Sequence, residues 1–152
     1  MNSGVLQALI SMKVIKAENS NQYQEEASNL GITLVTYLLD RKIVTHQDLA
    51  KAYSIDLGIT YVDTINETMI DSEMLKKIQF GFLRQNQIIP SIFNDKLTIV
   101  ASNPYKMQAI DELSLLIGKP VEKGVAAATI VADAINRFYP LEGTKEMMEE
   151  LE

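Results

Sequence analysis

The chain contains no cysteine, which excludes disulfide frameworks, thiolate nucleophiles and zinc sites built on sulfur. Its one histidine, His46, has no second histidine to share a metal or a proton with. No apolar run approaches the ~20 residues a helix needs to span a bilayer; stretches such as Gly124 to Ala134 are shorter and carry polar residues. The first residues lack the basic start and long apolar core of a secretory signal, so a cytoplasmic location is expected. A phosphate-cradling loop needs clustered glycines followed by Lys and Ser or Thr. None of the seven glycines belongs to such a pattern, and Gly118 Lys119 runs into Pro120. The chain is therefore expected to hydrolyse no ATP by itself and to be no enzyme.

At 152 residues, with 47% hydrophobic and 22% charged, the chain can fold as one ordinary domain or two small ones. The net charge of -6 argues against a general nucleic-acid binder, whose affinity rests on clustered Lys and Arg. Much of that charge is terminal: Glu142, Glu146, Glu149, Glu150 and Glu152 stand against Lys145. Residues 141–152 read as an acidic linker.

Apolar spacing predicts a short helix over Gly4 to Lys16, a second through Tyr23 to Leu30 ended by Gly31, and a third around Leu34 to Leu39. Thr45 with Asp48 three residues on predicts a capped helix closed by Gly58. Two units are suggested, since Met12 Lys13 Val14 Ile15 matches Arg41 Lys42 Ile43 Val44, and Leu30 Gly31 Ile32 matches Leu57 Gly58 Ile59. The offsets differ, and any two amphipathic hairpins share such features, so the repeat stays open. These residues, 1–60, read as a helical subdomain.

The remainder, 61–140, reads as α+β. A short helix is expected over Asp71 to Gln79. Strands over Gln87 to Phe93 and Lys96 to Ser102 are joined by a tight Asn94 Asp95 turn, with Pro90 forcing the first to an edge or bulge. Asn103 and Pro104 are expected to cap and open a helix whose buried side is Met107, Ile110, Leu113 and Leu116, stopped by Gly118. A third strand over Pro120 to Gly124 and a helix ending at Phe138 before Pro140 complete the pattern.

Few residues suggest chemistry. His46 reads as a solvated residue in a first turn, and Asp40 and Asp48 as ordinary helix-surface carboxylates. Lys76 Lys77 with Arg84, and Arg41 Lys42, read as exposed basic faces before they read as a phosphate site.

The segment Leu34 Val35 Thr36 Tyr37 Leu38 Leu39 Asp40 Arg41 Lys42 Ile43 Val44 Thr45, with Leu49 Ala50 and Leu57 to Asp63, resembles the amino-terminal domain of type II secretion and type IV pilus ATPases. Ile88 Ile89 Pro90, Leu97 to Ala101 and Asn103 Pro104 continue the likeness, which runs from about Gly31 to Tyr139 and is nearest in form to PilB-type pilus extension ATPases. It implies a helical subdomain followed by a small α/β sandwich, with a sheet of three or more strands expected to be mainly antiparallel. It also implies a longer protein: a hexameric motor holding ATP and Mg in a separate core, whose amino-terminal domain meets a PilZ-type adaptor or an inner-membrane platform protein. Leu34, Tyr37, Leu38, Arg41 and Lys42 are the partner-facing residues implied. Some relatives bind cyclic di-GMP through two R-L-G-x-x-L-V-x-x-G motifs, each with a later Gln. In that register this chain has Thr33 Leu34 Val35, then Lys42 for the second glycine and Asp56 for the Gln. The arginine is lost, a side chain stands where backbone approaches the ligand, and Thr33 and Lys42 remain as a vestigial nucleotide site. No tight binding is expected.

Overall fold

A computed structural model describes residues 3–139; the expected stop at Pro140 and the acidic linker lie outside them. Contacts divide the chain between Ile59 and Thr60 into two compact units.

The first unit is helical: α1 (Ser3–Ser11), α2 (Ser20–Leu30) entered through a 3-10 turn at Ala17–Asn19, α3 (Leu34–Asp40) and α4 (His46–Leu57). Helix α1 packs on α4 and α2 on α3, around Val5, Leu9, Ile15, Leu38, Leu49 and Ala52. Thr45 and Asp48 form a complete capping box: the Asp48 amide donates to Thr45 Oγ1 (3.0 Å) and the Thr45 amide to Asp48 Oδ2 (2.9 Å).

The suggested repeat has a backbone counterpart. After α1, Lys13 N donates to Ile10 O (2.9 Å) and Val14 N to Leu9 O (3.1 Å); after α3, Lys42 N donates to Leu39 O (3.0 Å) and Ile43 N to Leu38 O (2.9 Å). Lys13 and Lys42 are both left-handed, at φ 64 and 58, as are Gly31 and Gly58 at φ 70 and 66. Ile32 N bonds Ala27 O and Ile59 N bonds Ser54 O across these two glycines, the six-residue closure that ends a helix on a left-handed residue. The repeat is one of turn chemistry more than of side chains.

The second unit carries a four-stranded sheet in the order β1-β4-β3-β2, with β1 at Thr60–Tyr61, β2 at Ile88–Phe93, β3 at Lys96–Ala101 and β4 at Glu122–Val125. It is mixed, where a mainly antiparallel sheet was expected. Asn94 and Asp95, both at positive φ, make a primed hairpin turn that pairs β2 and β3 antiparallel. Helix α7 (Met107–Ile117) then returns the chain to its starting end, so β4 runs parallel to β3, and β1 joins parallel to β4. Parallel neighbours need such a crossover. Pro90 lies on edge strand β2, where a missing N–H costs no ladder bond.

Two short helices, α5 (Ser72–Lys76) and α6 (Phe80–Asn86), lie between β1 and β2, and α8 (Ala128–Phe138) packs on β2, β3 and α6. Helix α6 and strand β1 were not expected: the first is seven residues long and the second two, too short for periodicity to register. Both Phe80 and Leu83 of α6 are buried in the core with Leu75, Ile88, Ile99, Leu113 and Ile135.

Helix α7 differs from expectation at its start and its face. Asn103 Oδ1 accepts from Tyr105 N (3.1 Å) and Lys106 N donates to Asn103 O (3.2 Å), so Asn103 and Pro104 open a turn, and the helix begins at Met107. Its buried stripe is Ala109, Ile110 and Leu113, with Met107 42% and Leu116 65% exposed. At 3.6 residues per turn a strict three-residue spacing drifts by about 60° per step. Met107 and Leu116 therefore stand half a turn apart, on opposite flanks of that stripe. No helix among the described residues is long and apolar enough to cross a membrane.

Candidate functional site

The residues singled out in the sequence gather at α3 and the turn after it. Thr33 starts the helix: its hydroxyl oxygen accepts from Thr36 N (3.1 Å), and the two threonine hydroxyls are bonded at 2.9 Å. Its polar capacity is largely used in capping. Leu34 is half-buried, while Tyr37 and Leu38 are buried. Leu38 belongs to the core of the first unit, and no partner reaches it without unfolding α3. Arg41 and Lys42 are the exposed members of the expected partner-facing set.

Tyr37 is the pivot of a cluster that the sequence reading missed. Its hydroxyl donates to Glu26 of α2, which also accepts from Gln22 Nε2 (3.2 Å). Tyr23 packs on the Tyr37 ring with centroids 6.0 Å apart at 43°, and the Arg41 guanidinium stands over that ring, 5.2 Å from its centroid. The hydrogen bond from Tyr37 favours the ionised carboxylate and, with lesser help from Gln22 and Arg41, lowers the Glu26 pKa against a small opposing effect of burial. The same bond raises the Tyr37 pKa, because losing the phenolic proton would set two anions together. No local signal announces the pair: Glu26 is one of two adjacent acids on a polar helix, and only tertiary folding brings it to Tyr37.

Lys42 follows in the left-handed conformation, at φ 58. Among the described residues neither Arg41 nor Lys42 forms an ion pair. Asp56, in the last turn of α4, turns its carboxylate onto Gly4 in the first turn of α1; a Cβ on Gly4 would run into it. An acid at the end of α4 is unfavourable for its own helix and favourable for the N-terminus of α1, which has no acidic residue of its own. The remaining residues have structural settings. His46 is exposed in the first turn of α4, Asp40 is exposed, Asp48 serves the capping box, and Lys76 pairs with Glu73 at 3.3 Å. No group of three or more His, Asp or Glu side chains among the described residues could hold a metal.

The family model described as "MshEN domain" matches residues 57–145. The chain belongs to the MshEN domain family. It is 28% identical over 138 residues to the type IV pilus assembly ATPase PilB of Pseudomonas aeruginosa, covering 90% of this chain and 24% of that protein. To the type II secretion system protein E of Xanthomonas campestris pv. campestris it is 26% identical over 139 residues, covering 89% and 24%. The chain thus spans about a quarter of the length of the curated relatives it matches. Among solved structures, MshE with cdg shares the fold at a TM-score of 0.70 and 16% identity, covering 91% of this chain and 100% of that one. The N-terminal domain of XpsE does so at 0.61 and 24%, covering 91% and 95%. The MshEN match begins at Leu57, so the α3 cluster, the Lys42 turn and Asp56 all precede it.

Proposed function

We propose that this MshEN-containing chain is a non-catalytic docking and regulatory domain of a type IV pilus extension ATPase. It binds a PilZ-type adaptor or an inner-membrane platform protein from the cytoplasmic side and couples that contact to a hexameric motor, whose ATP and Mg sites lie in another part of the protein. The likeness to PilB and to a type II secretion E protein supports the motor assignment. The observation carrying the docking role is the state of the α3 turn: two exposed cations without an ion-pair partner among the described residues, beside positions that a nucleotide motif would need but that are otherwise engaged. Thr33 caps α3, and Asp56 is placed against Gly4. Pull-down from cell extract with the tagged chain tests this reading. Recovery of a pilus adaptor or platform protein supports it, and recovery of no pilus or secretion component by the correctly folded chain defeats it.

A second reading, a cyclic di-GMP sensor, draws on one observation. Lys42 keeps the left-handed backbone that the second glycine of the motif would adopt, within a fold shared with MshE solved with cdg. Calorimetry with cyclic di-GMP separates the two. Saturable micromolar binding that a Thr33 and Lys42 double variant abolishes would replace docking by sensing; no measurable heat is expected.

A further inference from the structure

The two repeat units share a turn, yet only one of them is furnished. Lys13 and Lys42 occupy equivalent left-handed positions with matching backbone bonds. At a spacing of 29 residues, Ala8 and Met12 stand where the second unit has Tyr37 and Arg41. The second turn alone therefore has an aromatic platform with a guanidinium lying on it. The platform is itself fixed: the Tyr37 hydroxyl donates to Glu26, Gln22 holds the other side of that carboxylate, and Tyr23 packs on the ring. Arg41 owes this arrangement nothing as a core residue, since it is exposed and forms no ion pair among the described residues.

We infer that Tyr37, held by Glu26, positions Arg41 as a preorganised fork for a single carboxylate of a partner protein, with Lys42 as the flanking cation. A guanidinium resting on a ring has fewer rotamers to lose on binding, and its planar donors match a carboxylate bidentately. The nearby Glu26 charge favours a monoanion over a phosphate, because repulsion grows with the charge of the ligand. The inference rests on the docking reading above and specifies the chemistry of its contact.

The test is an NMR titration of the full chain at pH 7 with the singly charged acetyl-Gly-Glu-Gly amide, its glutamine counterpart and inorganic phosphate, followed at the Arg41 side-chain Nε–H and, for variants at that position, at the backbone amides of residues 41 and 42. Arg84, exposed on α6 without a ring contact among the described residues, is the internal comparison. Saturable shifts at Arg41 with the glutamate peptide are expected, about two- to fivefold tighter than at Arg84, as a cation–π contact of ordinary strength would give. Tyr37→Phe, which keeps the ring but not its anchor to Glu26, should keep part of that advantage, and Tyr37→Leu should lose it. Because Tyr37 is buried and the leucine variant can unfold, Arg41→Lys supplies a variant that keeps the charge at an exposed position. It should bind about two- to fivefold more weakly. Equal binding by Arg41→Lys, equal shifts at Arg84, or phosphate binding as tight as the peptide would each overturn the inference. The docking reading fails separately: it fails if no pilus component is captured, even when the peptide titration succeeds. If a component is captured and Arg41→Lys does not weaken it, the Arg41 fork fails and docking stands.

Discussion

The Glu26–Tyr37 bond makes stability depend on pH at both ends. Glu26 has a lowered pKa in the folded chain, so its contribution is complete above the ordinary value of 4.5 and is lost as pH falls through the lowered one. Tyr37 has a raised pKa, so the same bond is complete below the ordinary value of 10.0 and is lost as pH rises through the raised one. Both shifts describe a single interaction and count once. In urea titrations, Tyr37→Phe should lower stability by a constant amount between pH 6 and 8, with the difference from wild type shrinking below about pH 4. A difference unchanged down to pH 3 would mean that Glu26 is not the acceptor. Backbone strain provides a second residue-level test. Nothing lies within 4 Å of a Cβ placed on Gly58, yet its φ is +66, so Gly58→Ala should cost roughly 1 kcal/mol through backbone conformation alone. Lys42→Gly, at an equally left-handed position, should stabilise by up to roughly 1 kcal/mol. Shifts of the urea midpoint in opposite directions are expected, and shifts of the same sign would contradict the left-handed assignment.

Elements that carry their own punctuation were legible in the sequence. Thr45 and Asp48 specify the start of α4, Gly31, Gly58 and Gly118 its end and those of α2 and α7, and Asn94 Asp95 the hairpin; each acts through bonds within a few residues. Strand partners were less legible, because a short strand says nothing of the direction of its neighbour, and β1 becomes a strand only through β4. The cluster at Tyr37 was half legible for the same reason: Arg41 is one turn from Tyr37 along α3, but Glu26 comes from another helix. The face of α7 shows the limit most directly, since a run containing Met107, Ile110, Leu113, Leu115, Leu116 and Ile117 fits several stripes. Packing selects Ala109, Ile110 and Leu113 and leaves Leu115 82% exposed. Leu113→Ala should therefore cost about 2–5 kcal/mol, and Leu115→Lys should change stability by less than about 0.5 kcal/mol. Comparable losses measured by chemical denaturation would mean that Leu115 is buried together with Leu113.

Across the whole molecule, two units with different architectures place different demands on function. The second has a closed core of its own, in which α5, α6, α7 and α8 all contribute buried side chains against β2 and β3, and Tyr139 ties the end of α8 back through a hydrogen bond to Ile78 O and an edge contact with Phe80 at 5.2 Å. It also coincides with nearly all of the MshEN match. The first unit has no sheet. It holds together by the pairings of α1 with α4 and α2 with α3 and by four left-handed closures, and the Asp56 carboxylate of α4 lies against Gly4 of α1. Gly4→Ala would push the Asp56 side chain off the first turn of α1, forfeiting a charge–helix-terminus contact of about 0.3–1 kcal/mol. Such a loss falls on the small helical unit, whereas the sheet unit retains every contact within its core. The two should then separate in hydrogen exchange: Gly4→Ala is expected to speed exchange at Leu9 and Ala52 while leaving Ile99 and Val100 protected as in the parent chain. Equal acceleration at all four amides would instead mean that the chain unfolds as one cooperative body, and a docking event on the helical unit would then be felt directly by the sheet.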